Sequence, residues 1–149
     1  METKPHPLKI ISIQGAEATS FQPLPSFESC VPAGFPSPAD DYMEKRLDLN
    51  DLIVRHPNAT FFVKVEGDSM RDAGIQSGDT LVVDRSIEPS HGKIVVAILN
   101  GEFTVKRILI ETKGVSLAPE NPAYPVIFIH PESDFQVWGV VTYVIHRAS

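Results

Sequence analysis

Residues 93–110 read KIVVAILNGEFTVKRILI. Two runs rich in Val and Ile flank Asn100-Gly101, the dipeptide that most favours a two-residue hairpin turn because both residues tolerate positive φ. The stretch therefore predicts an antiparallel hairpin. In its second run, alternation places Phe103, Val105, Arg107 and Leu109 on one face, and Thr104, Lys106, Ile108 and Ile110 on the other.

The same composition recurs on both sides. Strands are expected at Thr60–Val65, Thr80–Asp84, Lys93–Leu99, Glu102–Ile110, Val115–Ala118, Val126–Ile129 and Gln136–Ile145, separated by Gly, Pro, Asn and Ser. Ahead of them, Leu49, Leu52 and Ile53 sit at helical spacing behind Asp48, a good N-cap, with Pro57 beyond. That pattern predicts one short helix of two to three turns. The expected architecture over residues 41–149 is mainly β, a compact domain of antiparallel strands with one or two short helices.

Residues 1–40 read differently. Pro5, Pro7, Pro23, Pro25, Pro32, Pro36 and Pro38 fall here, and proline at this density removes backbone donors and disfavours helix. An extended N-terminal arm is expected, with a short strand at Leu8–Ile13; composition alone fits a disordered tail equally well.

With 149 residues, one domain with a real core is expected. A formal charge of −6 argues against strong direct binding to nucleic acid, so any link to it should run through a protein partner. The single cysteine, Cys30, cannot form an internal disulfide, which suits a reducing, cytoplasmic setting. The start, Met1 to Pro5, lacks the apolar core of a signal peptide, and no apolar run is long enough for a bilayer, so no membrane association is expected.

Gly67-Asp68-Ser69-Met70 carries the first chemical signal. A serine hydroxyl needs a base within hydrogen-bond reach to act as a nucleophile. Gly67 permits close backbone approach, and Met70 to Ala73 can form one helical turn whose N–H groups face a developing oxyanion. The backbone amides of Asp68 and Ser69 are the candidate donors. Against this, a serine between strand and turn is more often a cap than a nucleophile. Gly-Asp-Ser also occurs in a lipase and esterase family, but no aspartate here is followed three residues on by the histidine those enzymes need.

Lys106 carries the second signal, because lysine is rarely placed on an apolar face unless paired. Burial disfavours the ammonium and lowers its pKa from about 10.4, so a neutral amine becomes available as a base. The bland alternative is a lysine that reaches water or pairs with Glu111. The five histidines, His6, His56, His91, His130 and His146, show no zinc-site spacing and read as solvated or capping residues. Cys30 has no evident partner base, and no cofactor or metal is expected.

Taken in order, Gly67-Asp68-Ser69-Met70, Gly78-Asp79, Asp84 and Val105-Lys106-Arg107 resemble the LexA/UmuD family of self-cleaving serine peptidases over roughly residues 33–149. Each motif is weak alone; the ordered series, with Lys106 following Ser69 by 37 residues, is specific. Within the family the chain resembles the UmuD-like branch. No helix-turn-helix pattern precedes residue 33, and Ala33-Gly34 lies upstream of Ser69 at the position of the scissile bond in UmuD-like proteins. Some UmuD-like proteins carry Cys-Gly at that bond, whereas here the cysteine is Cys30 and Ala33 takes the position.

The resemblance implies a Ser69–Lys106 dyad that cuts its own chain between Ala33 and Gly34, slowly unless a RecA filament on single-stranded DNA assists. It further implies a homodimer that joins a UmuC-like Y-family polymerase in SOS mutagenesis. Pro32, Pro36 and Pro38 are expected to hold the segment extended, as a protease substrate must be. Two competing readings are a non-catalytic polymerase-regulatory module with a vestigial Ser–Lys pair, and a fragment of a LexA-type repressor.

Overall fold

The computed structural model describes residues 6–16 and 48–148. Ala33-Gly34, Cys30 and most of the expected arm lie outside the described residues. The strands are β1 (Lys9–Gly15), β2 (Thr60–Glu66), β3 (Thr80–Asp84), β4 (Ile94–Leu99), β5 (Glu102–Glu111), β6 (Gly114–Ala118), β7 (Ile127–Phe128) and β8 (Phe135–Ile145). Among the described residues, one α-helix, α1 (Leu49–Ile53), precedes β2.

All eight strands form one sheet in the order β1-β2-β3-β8-β4-β5-β6-β7, and the paired strands are antiparallel. The hairpin read from residues 93–110 is β4–β5. Leu99 faces Glu102, and Asn100 and Gly101 take φ of 50° and 83°, the double positive turn that matches strand twist. β8 is bulged against both β3 and β4, and each bulge adds local twist and bend. The sheet curls until β1 approaches β5, although four strands separate them in the ladder.

Curling gives two buried clusters. One gathers Leu8, Val63, Val65, Met70, Ile75, Leu81, Val83, Val96 and Val105. The other holds Val95, Ala97, Ile108, Leu117 and Val140. Adjacent residues Val95 and Val96 feed different clusters because successive side chains leave opposite faces of a strand. β4 is therefore covered on both sides, as is the middle of β5. That double burial puts a lysine in the interior.

The helix is shorter than the two to three turns expected. Asp48 caps it as read, its carboxylate accepting from the Asn50 amide at 2.8 Å. The chain leaves helical geometry at Val54 (φ −113°, ψ 83°). His56 is non-helical (φ −128°, ψ 83°), as proline disfavours helical geometry in the residue before it, and a 3-10 turn at Pro57–Ala59 follows. Among the described residues, no helix is long and apolar enough to cross a membrane.

Candidate active site

β2 delivers the chain to Gly67, whose φ of 114° turns the backbone sharply. Ser69 follows, then Met70, whose fully buried side chain anchors the loop in the first cluster. Arg71–Ala73 form a single 3-10 turn closed by Gly74 at φ 82°. Ser69 is thus held between a backbone reversal and an apolar anchor, and it is itself fully buried.

Lys106 comes from the middle of β5, opposite Val95 of β4. Its Nζ lies 3.5 Å from Ser69 Oγ, 2.8 Å from Thr104 Oγ1 and 3.1 Å from the Val105 carbonyl. All three acceptors are neutral, and Lys106 is only 6% exposed. Burial pushes its ammonium down to about 8. A buried charge without a counter-ion loses hydration that neutral acceptors repay only in part, so the neutral amine gains ground. Glu111, the alternative partner considered for Lys106, sits exposed at the end of β5. The arrangement can move a proton from a serine hydroxyl to an amine close to neutral pH.

A third segment, residues 119–124, laces the serine loop in place. Asn121 Nδ2 donates to the Asp68 carbonyl at 2.9 Å, and the Glu120 amide donates to the Ser69 carbonyl at 2.9 Å. The Asp72 amide donates back to the Glu120 carbonyl at 2.8 Å. Tyr124 Oη bonds Asp68 Oδ1 at 2.6 Å; burial and that carboxylate raise the phenol to about 12. The Glu120 carboxylate also pairs with Arg107 Nε, one residue from Lys106. Glu120 therefore bridges the serine loop and the lysine strand. Sequence reasoning missed this segment, since residues about 50 positions apart carry no local signal of contact. Thr104 was legible, because strand alternation places it on the face of Lys106.

The segment before β1 also enters the site. The Asp68 amide, one of the two expected oxyanion donors, donates to the His6 carbonyl at 2.8 Å. The Leu8 amide donates to Ser69 Oγ at 3.2 Å. A Cβ on Gly67 would fall 2.4 Å from the Pro7 carbonyl oxygen, so only glycine admits this backbone so close. A cleft of about 580 Å³ opens beside it, lined in part by His6, Pro7, Asp68, Arg71 and Ile75.

The remaining motif carboxylates do other work. Asp79 accepts from the Gln76 amide at 2.7 Å and bonds His146 Nδ1 at 2.6 Å. Asp84 accepts from the Ser86 amide and hydroxyl and bonds His56 Nδ1 at 2.6 Å. Burial works to raise Asp84, but bonds from Ser86 and His56 outweigh it and hold the carboxyl below its usual range. His56 and His146 are exposed, as read, and each also bonds a buried carboxylate. Among the described residues, no three His, Cys, Asp or Glu side chains gather in a way that could hold a metal ion.

A family model described as Peptidase S24-like matches residues 25–142. Protein SamA of Salmonella typhimurium strain LT2 is 51% identical over 83% of this chain and 85% of its own length. Protein MucA of Escherichia coli is 44% identical over 91% of this chain and 93% of its own. The LexA repressor of Paracidovorax citrulli is 35% identical over 91% of this chain and 64% of its own length.

Proposed function

The chain belongs to the S24-like peptidase family, among its UmuD-like members, and from that premise we propose that it is a self-cleaving accessory subunit of an error-prone DNA polymerase. The observation that carries the reading is the approach of Lys106 Nζ to Ser69 Oγ at 3.5 Å, with burial lowering the lysine to about 8. Neutral Lys106 takes the Ser69 hydroxyl proton as Oγ attacks the carbonyl carbon of Ala33. The Asp68 and Ser69 amides hold the oxyanion. As the tetrahedral intermediate collapses, Lys106 returns the proton to the Gly34 nitrogen, leaving an Ala33 ester on Ser69. Lys106 then takes a proton from water as it attacks the ester carbon, and returns that proton to Ser69 Oγ as the Ala33–Oγ bond breaks, which releases residues 1–33 and regenerates the serine.

The family relationship supports a biological setting for this cut. The processed homodimer joins a UmuC-like Y-family polymerase in SOS mutagenesis, and a RecA filament on single-stranded DNA accelerates the cut. The test is intact-mass spectrometry of purified protein after alkaline incubation, with and without an activated RecA filament. A cut after Ala33 that is absent from Ser69→Ala and Lys106→Ala is the expected result. A chain that stays intact yet binds the polymerase would identify a binding module with a vestigial pair.

A further inference from the structure

Ser69 is fully buried, and the chain's own His6–Leu8 lies against it. This segment runs into β1, which continues as an antiparallel partner of β2 from Lys9 opposite Glu66. Leu8 is 4% exposed and belongs to the cluster that also holds Val65, Met70 and Val105. The segment therefore leads directly into a strand seated on a sheet edge, with one aliphatic side chain as its anchor. This is a recurrent way for a protein to bind a peptide.

The register is unproductive. Attack requires the serine oxygen at a carbonyl carbon whose own oxygen the oxyanion donors grip. Here the Asp68 amide grips the oxygen of His6, while Ser69 Oγ accepts from the N–H of Leu8. The gripped oxygen belongs to the His6–Pro7 peptide, and the nitrogen on Ser69 belongs to the next one. Oγ meets a donor rather than an electrophile, and the Asp68 donor is occupied.

We propose that His6–Leu8 is a resident pseudosubstrate: the β2 edge and the Gly67–Ser69 loop form a site for an extended peptide with an aliphatic anchor, and this segment fills it. Ala33-Gly34 reaches Ser69 only after His6–Leu8 withdraws. The inference rests on the reading of Ser69 and Lys106 as a catalytic pair.

The test compares full-length wild type with full-length Leu8→Asp at one alkaline pH. The variant should cut after Ala33 at least about tenfold faster, because losing the transfer energy of a buried leucine shifts the closed–open equilibrium by that factor. A synthetic peptide of residues 6–16 should slow the variant again, and the same peptide carrying Leu8→Asp should not. Equal rates in wild type and variant overturn the proposal. A second measurement needs neither cleavage nor a folded Leu8 variant: in Lys106→Ala protein, the Asp68 amide should be protected from hydrogen exchange, and rapid exchange there overturns the proposal. If wild type never cuts at Ala33-Gly34, the self-cleavage reading fails, while exchange at Asp68 still decides whether the segment occupies the loop.

Discussion

Lys106 Nζ donates to Thr104 Oγ1 at 2.8 Å, a closer contact than its 3.5 Å approach to Ser69 Oγ. Thr104 therefore fixes where the amine sits, two residues along the same strand face. Thr104→Val removes this acceptor while keeping the shape. The plateau rate of self-cleavage should fall about tenfold, the scale of one lost hydrogen bond of ~1.4 kcal/mol. The midpoint of the pH–rate profile should move lower, because the lost acceptor favoured the ammonium. Thr104→Ser should restore both. A merely packing role for Thr104 would leave the midpoint in place.

The lowered lysine sets the pH dependence. With Lys106 at about 8, unassisted cleavage should rise about tenfold per pH unit below that value and level off about one unit above it. Densitometry of the two fragments across a pH series measures this. A rate independent of pH over the range would remove Lys106 as general base.

Stability should respond to the same proton. The folded pKa of Lys106 lies below the unfolded value of 10.5, so the unfolded chain binds more protons between them. Stability therefore rises with pH across that window, and the penalty is fully present below about 8. The gain approaches roughly 3 kcal/mol, from ~1.36 kcal/mol per pKa unit. In a Ser69→Ala background, which avoids cleavage, urea unfolding should show this gain. It should vanish in Ser69→Ala/Lys106→Met.

Glu120 joins the serine loop by its backbone and the lysine strand by its carboxylate on Arg107. Both side chains are 32% exposed, so the pair should contribute little to global stability. It should matter to alignment: Glu120→Gln should slow cleavage about tenfold, a part of the ~100-fold that a 1 Å misplacement costs. Melting temperature should barely change. Arg107→Glu combined with Glu120→Arg should recover part of the rate, and no recovery would argue against the pair as a positioning device.

Gly139 lies in the bulged middle of β8, opposite Val96. A Cβ there would sit 2.5 Å from Val83 Cγ1, inside the first cluster's wall. Gly139→Ala should destabilise the domain by about 1–3 kcal/mol, the usual cost of overpacking. Trp138, the chain's single tryptophan, stacks edge-on with Phe61 at 5.1 Å and lies beside the substitution. Its fluorescence should report both the unfolding midpoint and the local shift.

The strand series was legible because its cues are local. Alternating Val and Ile, Asn100-Gly101 and scattered turn residues gave strand positions within one or two residues of those observed. Periodicity also put Lys106 on an apolar face with Thr104 and Ile108. The helix was overestimated, since apolar spacing at Leu49, Leu52 and Ile53 could not show that the chain leaves helical geometry at Val54. The carboxylate bonds of His56 and His146 were missed for another reason. Their partners, Asp84 and Asp79, lie 28 and 67 residues away, and nothing local marks those carboxylates as buried.

By itself the sequence determined a mainly β domain and the family, and it offered Ser69 and Lys106 as candidates for proton transfer. Those features rest on short-range pattern and on chemistry intrinsic to each side chain. Only the tertiary structure decided that the sheet curls, that Lys106 is buried among neutral acceptors, and that Glu120 and Asn121 hold the serine loop. It alone placed His6–Leu8 across Ser69. Those outcomes depend on which distant strands meet, and the pKa of a lysine or the closure of a site exists only once they have.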